Sequence, residues 1–374
     1  SERIHDFNEL IGTLSDEESL IQAGRCMDCG IPFCMHACPL HNDSPDFNEF
    51  VCEGEMQKAY NVLAASNNFP EITGRICPAL CEEGCCLGIH RDPVGIKSIE
   101  KKIAEYAFAH GYVKAICGHK RTDKKVAIVG SGPAALACAQ NLNRLGHNVT
   151  IFEKNQKPGG LLRYGIPDFK LQKGILDRRI AQLELEGITF KTSTMVGSKK
   201  ALESGVHCDA QLEVSPQELL ANFDAIVLAP GSEAPRDLKI PGRELKNIHF
   251  ALDFLIAQNL ENNGDGENPI QVKGKKVAII GGGETASDCI GTAIRKGASA
   301  VTQIDYHEEL PTAVDLSLVW PDWRKIKRTS TSQEEGCVRL FATNTTAFVG
   351  DNTVKSLNLQ KVKWGQGRNF SGIE

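Results

Sequence analysis

Residues 124–134, KKVAIVGSGPA, recur almost unchanged at 275–285 as KKVAIIGGGET. Each copy has a basic start, a short β-branched run and a G-x-G-x-x-A turn: Gly130, Gly132 and Ala135 in the first, Gly281, Gly283 and Ala286 in the second. A strand that breaks into such a turn and then a helix is the dinucleotide fingerprint. Its glycines let the backbone approach a pyrophosphate, and the helix N-terminus presents free N–H groups and a partial positive charge. One copy is a weak signal. Two copies in one chain imply two nucleotides held side by side, the arrangement needed to pass electrons between them.

A chain of 374 residues has room for two to three domains. A net charge of −5 gives no reason to expect a nucleic-acid partner or a membrane surface. The longest apolar runs, 126–129 and 277–280, are far too short to span a bilayer. Residues 1–18 are polar and acidic and lack a signal-peptide pattern, so the chain reads as cytosolic.

Fourteen cysteines in such a chain argue against disulfides and for metal or redox use. Seven fall in two runs. The first is Cys26-x2-Cys29-x4-Cys34-x3-Cys38, followed by Pro39; the second is Cys77-x3-Cys81-x3-Cys85. Such spacing suits zinc or an iron–sulfur cluster. A terminal Cys-Pro favours a cluster, and in ferredoxin-like binding the last cysteine of a run serves the other cluster. The expected partition is therefore Cys26, Cys29 and Cys34 with Cys85, and Cys38 with Cys77 and Cys81. Two [4Fe–4S] clusters need eight ligands. The eighth is Cys52, Cys86, Cys117 or a group other than cysteine. His36, His41 and His90, near these runs, read as structural.

CMDCGIPFC (26–34), NNFPEITGRICPALCEEGC (67–85), IKSIE (96–100), GLLRYGIPDFKL (160–171) and the paired turns resemble the small (beta) subunit of NAD(P)H-dependent glutamate synthase, over essentially the whole chain. The resemblance implies an α/β protein: a helical iron–sulfur domain at 1–121, an FAD-binding Rossmann-like domain at 122–242, an NAD(P)H-binding Rossmann-like domain at 243–363, and a return toward the FAD domain beginning at 364–374. It implies two [4Fe–4S] clusters, with Glu100 as the ligand that is not cysteine, and electrons leaving for a glutamate synthase large subunit. Related modules serve ferredoxin or a pyrimidine reductase instead. The third turn glycine is replaced by Ala135 and Ala286, and the usual Asp by Glu284. The family continues past the position of Glu374 with a strand and a Gly-Asp turn that complete the flavin pocket. On that ground the chain is expected to be a fragment or a shortened paralogue, with a non-catalytic paralogue as the alternative.

Within that frame the FAD contacts are expected at Gly130, Ser131, Gly132, Pro133, Ala134 and Ala135. Glu153 and Lys154 follow the second strand, where an acid accepts ribose hydroxyls. Gly160, Leu161 and Arg163 follow in the Pro158-Gly159-Gly160 loop, and Gly231 in the turn that crosses between domains. The nicotinamide nucleotide is expected at Gly281, Gly282, Gly283, Glu284 and Thr285. Asp305, ending the strand at 300–304, points toward a ribose 2′-OH and NADH. The basic group Arg324, Lys325, Lys327 and Arg328 points instead toward a 2′-phosphate and NADPH. No side-chain acid or base is required for hydride transfer, so no catalytic residue is named. The apolar spacing gives helices at 46–65, 96–109, 134–145 and 285–296, and the alternation across 338–362 suggests antiparallel strands.

Overall fold

The computed structural model describes residues 2–118, 120–202, 205–364 and 370–373. The first part is helical. Helices Asp16–Ala23, Ser44–Cys52, Met56–Ser66, Pro70–Ile76 and Ile96–Ala109 surround a core built from Ala23, Phe47, Val51, Ala59, Leu63, Ile99 and Ile103. The single helix expected at 46–65 is two helices, because the chain turns at Gly54, which takes a left-handed φ of 76°. The helix at 96–109 has the expected bounds.

The strands, in chain order, are β1 (Lys125–Val129), β2 (Asn148–Phe152), β3 (Thr189–Lys191), β4 (Thr194–Val196), β5 (Leu212–Val214), β6 (Ala225–Leu228), β7 (Lys276–Ile280), β8 (Ala300–Ile304), β9 (Cys337–Leu340), β10 (Thr343–Gly350), β11 (Val354–Trp364) and β12 (Phe370–Ile373). The first nucleotide sheet is parallel, in the order β3-β2-β1-β6. Helices Pro133–Arg144 and Lys173–Leu185 cover it, burying Leu136, Ala139, Leu176 and Leu183 against Ile128 and Ile151. Phe69 and Ile72 of the helical part enter the same core, so the two units share apolar packing.

The second nucleotide sheet is parallel, β7-β8-β9, and packs against helices Ala251–Asn262 and Glu284–Arg295 through Phe254, Leu255, Cys289, Ile290 and Val301. The alternation at 338–362 contains one strand that is parallel to its neighbour: β9 pairs with β8, and only β10 and β11 form the antiparallel hairpin. That hairpin braces the crossing between the two nucleotide units. Phe348 N donates to Pro241 O at 2.9 Å, and Lys246 N to Asn352 O at 3.1 Å. β12 pairs antiparallel with β11, so 370–373 widen this sheet; the rest of the expected return, 365–369 and 374, lies outside the described residues.

Buried charge ties the helical part to the first nucleotide unit. Arg179, 1% exposed, meets Glu71, 0% exposed, through Nε–Oε1 at 2.6 Å and Nη2–Oε2 at 2.8 Å. Glu105 joins Arg75 and Arg178 nearby. Among the described residues no helix is long and apolar enough to cross a membrane.

Candidate functional site

The cysteines assemble into two groups. Cys26, Cys29, Cys34 and Cys85 line one cavity, together with Cys86, Ser44 and Pro45. Cys38, Cys77 and Cys81 lie within electrostatic reach of one another and of Glu100. This is the partition expected from the spacing. The connecting loops are held in costly backbone: Asp28, between Cys26 and Cys29, has φ 44°, and Ala79, between Cys77 and Cys81, has φ 61°. Left-handed non-glycine residues cost on the order of 1–3 kcal/mol each, and such strain gathers at functional sites.

The donor set suits a polynuclear cluster. Among the described residues no three His, Cys, Asp or Glu side chains converge on a point that could hold a single metal ion. The thiols of the first group stand around a cavity, as a cube with one thiolate per iron requires. Burial pushes the Cys29 and Cys34 thiols each up to about 11, with Cys86 and Cys85 adding to the rise at Cys29, and Cys85 and Cys26 at Cys34. Cys81 is pushed up further by burial and by Glu100. Glu100, 5% exposed, is raised to about 7 by burial, against the pull of the Asn42 amide, which donates to its Oε1 at 2.8 Å. Gathered, buried acids of this kind are relieved by a metal centre. Cys86, a candidate for the eighth ligand, lies instead at the first cavity as a fifth thiol, and Asn42 as the orienting partner of Glu100 is a contact that residue spacing does not reveal.

The first turn forms an open anion cradle. The Pro133–Arg144 helix begins at Gly132 with no side-chain cap, so its N–H groups are left for a ligand. Pro133 and Ala134 face outward, while Ala135 is fully buried at the helix–sheet contact. Gly130 needs its glycine: φ is 98°, and a Cβ there would stand 2.2 Å from Ala229 O. The loop after β2 closes over the turn. Ser131 Oγ donates to the buried Glu153 and accepts from Gly159 N at 2.9 Å; Asn155 N donates to the other Glu153 oxygen at 2.8 Å. A Cβ on Gly160 would lie 2.9 Å from Gly132 Cα. Leu161 opens the next short helix, and Gly231 is exposed just beyond β6. The residues therefore fit a bound dinucleotide. Two expected contacts have other partners. Lys154 pairs with Glu233 at 2.9 Å, and Arg163 is turned inward, donating to Pro158 O and Asp177 at 2.6 Å each.

The second turn repeats the design. Gly283 caps the Glu284–Arg295 helix without a side-chain bond, and Gly282, Gly283, Glu284 and Thr285 are exposed. Glu284 pairs with Lys170, which also reaches Asp288 at 2.6 Å. Asp305 closes over the glycines: a Cβ on Gly282 would fall 1.8 Å from its Oδ2. Arg328 is drawn elsewhere. It lies over the Trp323 ring and pairs with Glu83 at 3.1 Å; Arg324 pairs with the other oxygen of the same carboxylate, so both reach the helical part between Cys81 and Cys85. Trp320 packs against Phe33 nearby, the two rings tilted by 58° with centroids 4.6 Å apart.

Residues 3–112 match the family described as dihydropyrimidine dehydrogenase domain II, 4Fe-4S cluster, and residues 124–368 match pyridine nucleotide-disulphide oxidoreductase. The chain is 46% identical over 373 residues to the Mycobacterium tuberculosis glutamate synthase [NADPH] small chain, covering 98% of this chain and 74% of that protein. It belongs to the glutamate synthase small-chain family. The Bacillus subtilis small chain is 39% identical over 99% of this chain and 76% of its own length. The Saccharomyces cerevisiae glutamate synthase [NADH] is 43% identical over 87% of this chain but 15% of that longer protein. In fold, residues covering 67% of this chain and 67% of the other superpose on FprA, a Mycobacterium tuberculosis oxidoreductase, with a TM-score of 0.50 and 20% identity. The chain is thus an NAD(P)H-dependent oxidoreductase subunit that joins an iron–sulfur unit to a flavin and pyridine-nucleotide unit.

Proposed function

We propose that this chain carries electrons from NAD(P)H through FAD and two [4Fe–4S] clusters to a glutamate synthase large subunit, which forms glutamate from glutamine and 2-oxoglutarate. The observation that carries the proposal is the presence, in one chain, of two separate thiol groups and two uncapped glycine turns, joined by a buried ion pair. Bound flavin supplies the chemistry, taking a hydride and giving up electrons singly.

The chain's residues bind and orient. The N–H groups at Gly132–Ala134 and Gly283–Thr285 receive pyrophosphates. Glu153, fixed by Ser131 and by Asn155 N, faces the flavin-side ribose. Cys26, Cys29, Cys34 and Cys85 hold one cluster; Cys38, Cys77, Cys81 and Glu100 hold the other. Glu71 and Arg179 keep the flavin unit and the cluster unit in one register, which matters because transfer depends on distance and orientation.

The test is anaerobic reconstitution of the chain with iron, sulfide and FAD, then addition of NADH or NADPH and of a purified large subunit. Nucleotide-dependent bleaching of flavin and cluster absorbance, with co-elution of the two subunits, is expected. Bleaching without co-elution would point to another acceptor. No bleaching would overturn the proposal.

A further inference from the structure

The first cavity holds one thiol more than a four-iron cluster takes. We infer that Cys86 is an alternative ligand to Cys29 at one corner of the first cluster; this rests on the proposed assignment of Cys26, Cys29, Cys34 and Cys85 to that cluster.

Cys86 belongs to the first cavity and not to the second group. It lines the cavity beside Cys26, Cys29, Cys34 and Cys85, whereas Cys77 and Cys81 feel Cys38 and Glu100. Two adjacent residues reach one cavity because the chain bends between them. Cys85 is extended, with φ −65° and ψ 125°, and Cys86 opens the single 3-10 turn Cys86–Ile89. The bend is braced on both sides. A Cβ on Gly84 would stand 2.9 Å from Ala37 Cβ, in the short helix Phe33–Ala37 that carries Cys34. Arg25, next to Cys26, donates through Nη1 to Pro93 O at 3.0 Å. The fold itself therefore delivers both thiols to the cavity.

Within the cavity Cys86 shares the place of Cys29. The two thiols lie within hydrogen-bond reach of each other, and Cys86 acts on Cys29 more strongly than Cys85 does. Thiolates on neighbouring irons of a cube are held apart by the cube's own edge and do not touch. Two thiols in contact therefore serve one iron in turn, not two irons at once. The Cys29 corner is also the one open to exchange, since its loop neighbours Met27, Asp28, Gly30 and Ile31 are all exposed. Exchange needs no oxidant or reductant. The Fe–Sγ bond to Cys29 breaks as one to Cys86 forms, and the proton leaving Cys86 goes to Cys29. Cys52, also near Cys26, stands outside the cavity lining and has no such role.

The full chain is reconstituted anaerobically with iron, sulfide and FAD, then read by iron and sulfide analysis and by electron paramagnetic resonance after reduction. Cys29→Ala should keep roughly eight irons and eight sulfides, with the first cluster's resonance shifted but present, where Cys34→Ala falls to about four. Cys29→Ala/Cys86→Ala should fall to about four irons, while Cys29→Ala/Cys52→Ala should keep roughly eight. Iodoacetamide should label Cys86 in the loaded parent and leave it unlabelled in loaded Cys29→Ala. Cys86 is half-buried at the cavity, and Cys86→Ala gives a reading that does not depend on the folding of the Cys29 variants. It should load roughly eight irons but lose the first cluster to a chelator several-fold faster than the parent. The inference is overturned if Cys29→Ala holds about four irons or shows a cluster lacking one iron, or if the Cys29→Ala/Cys86→Ala chain keeps roughly eight. Labelling of Cys86 in loaded Cys29→Ala, or an unchanged rate of loss in Cys86→Ala, would also overturn it. A parent chain with about four irons or none would instead overturn the two-cluster assignment, and the inference with it.

Discussion

Replacing Glu71 with Leu should do more harm than replacing both members of its ion pair. Arg179 is buried and receives two short contacts from Glu71, with a third from Gln182 Oε1 at 2.9 Å. Removing the carboxylate leaves a guanidinium that cannot escape to water and has only neutral partners, Gln182 and Tyr60. Stranding a buried charge costs about 3–5 kcal/mol. Removing both charges and filling the space, as in Glu71→Leu/Arg179→Met, should cost about 1 kcal/mol or even stabilise, because no ion is left desolvated. The expected coupling between the two sites is therefore at least about 2 kcal/mol and favourable. Since Glu71 lies in the Pro70–Ile76 helix and Arg179 in the Lys173–Leu185 helix, the damage falls on the contact between the cluster unit and the flavin unit. Urea unfolding followed by cluster absorbance and by far-UV circular dichroism resolves this. In Glu71→Leu the two probes should separate, with cluster loss coming first; in the double variant they should coincide again. A chain of several domains need not unfold in two states, so the separation of the probes is the informative quantity. Equal damage from the single and double variants, or coincident curves in Glu71→Leu, would refute the reasoning.

Other outcomes follow from single contacts. Ser131→Ala removes the bonds to Glu153 and to Gly159 N, and should weaken FAD retention by about 1–2 kcal/mol, roughly five- to thirtyfold, measured by flavin release on dilution. Gly130→Ala places a Cβ against Ala229 O at left-handed φ, and should give a chain that binds little FAD and melts several degrees lower by calorimetry. Burial raises the Glu105 carboxyl, but Arg178 and then Arg75 outweigh it and hold it below the usual 4.5. The group therefore adds stability above pH 4.5 that is lost as acid protonates it, and Glu105→Gln should flatten the acid limb of the pH–stability curve.

The two turns were legible because their signal is local. A glycine pattern fixes a strand end and a helix start within a few residues, and β7 and β8 fall on the expected positions. The division of the cysteines was legible for the same reason: ligand spacing is short, and the two cysteine runs interleave. What escaped was tertiary. Arg163 turns to Asp177, and Arg328 to Glu83, because folding brings those acids close; nothing beside either arginine in sequence announces it. The break at Gly54 hid inside an apolar spacing that two short helices satisfy as well as one long helix. Alternation at 338–362 marked strands but not their direction, so β9 appeared as one more hairpin strand although it pairs parallel with β8.

The central claim is that the amino-terminal part forms two separate four-ligand sites, one of four thiols and one of three thiols with Glu100. Iron and acid-labile sulfide analysis, with electron paramagnetic resonance of the reduced chain, tests it most directly. The parent chain should hold roughly eight irons and eight sulfides, Cys34→Ala and Cys81→Ala about four each, and the two variants should retain different resonances. About four irons in the parent, or complete loss of iron in both variants, would contradict it.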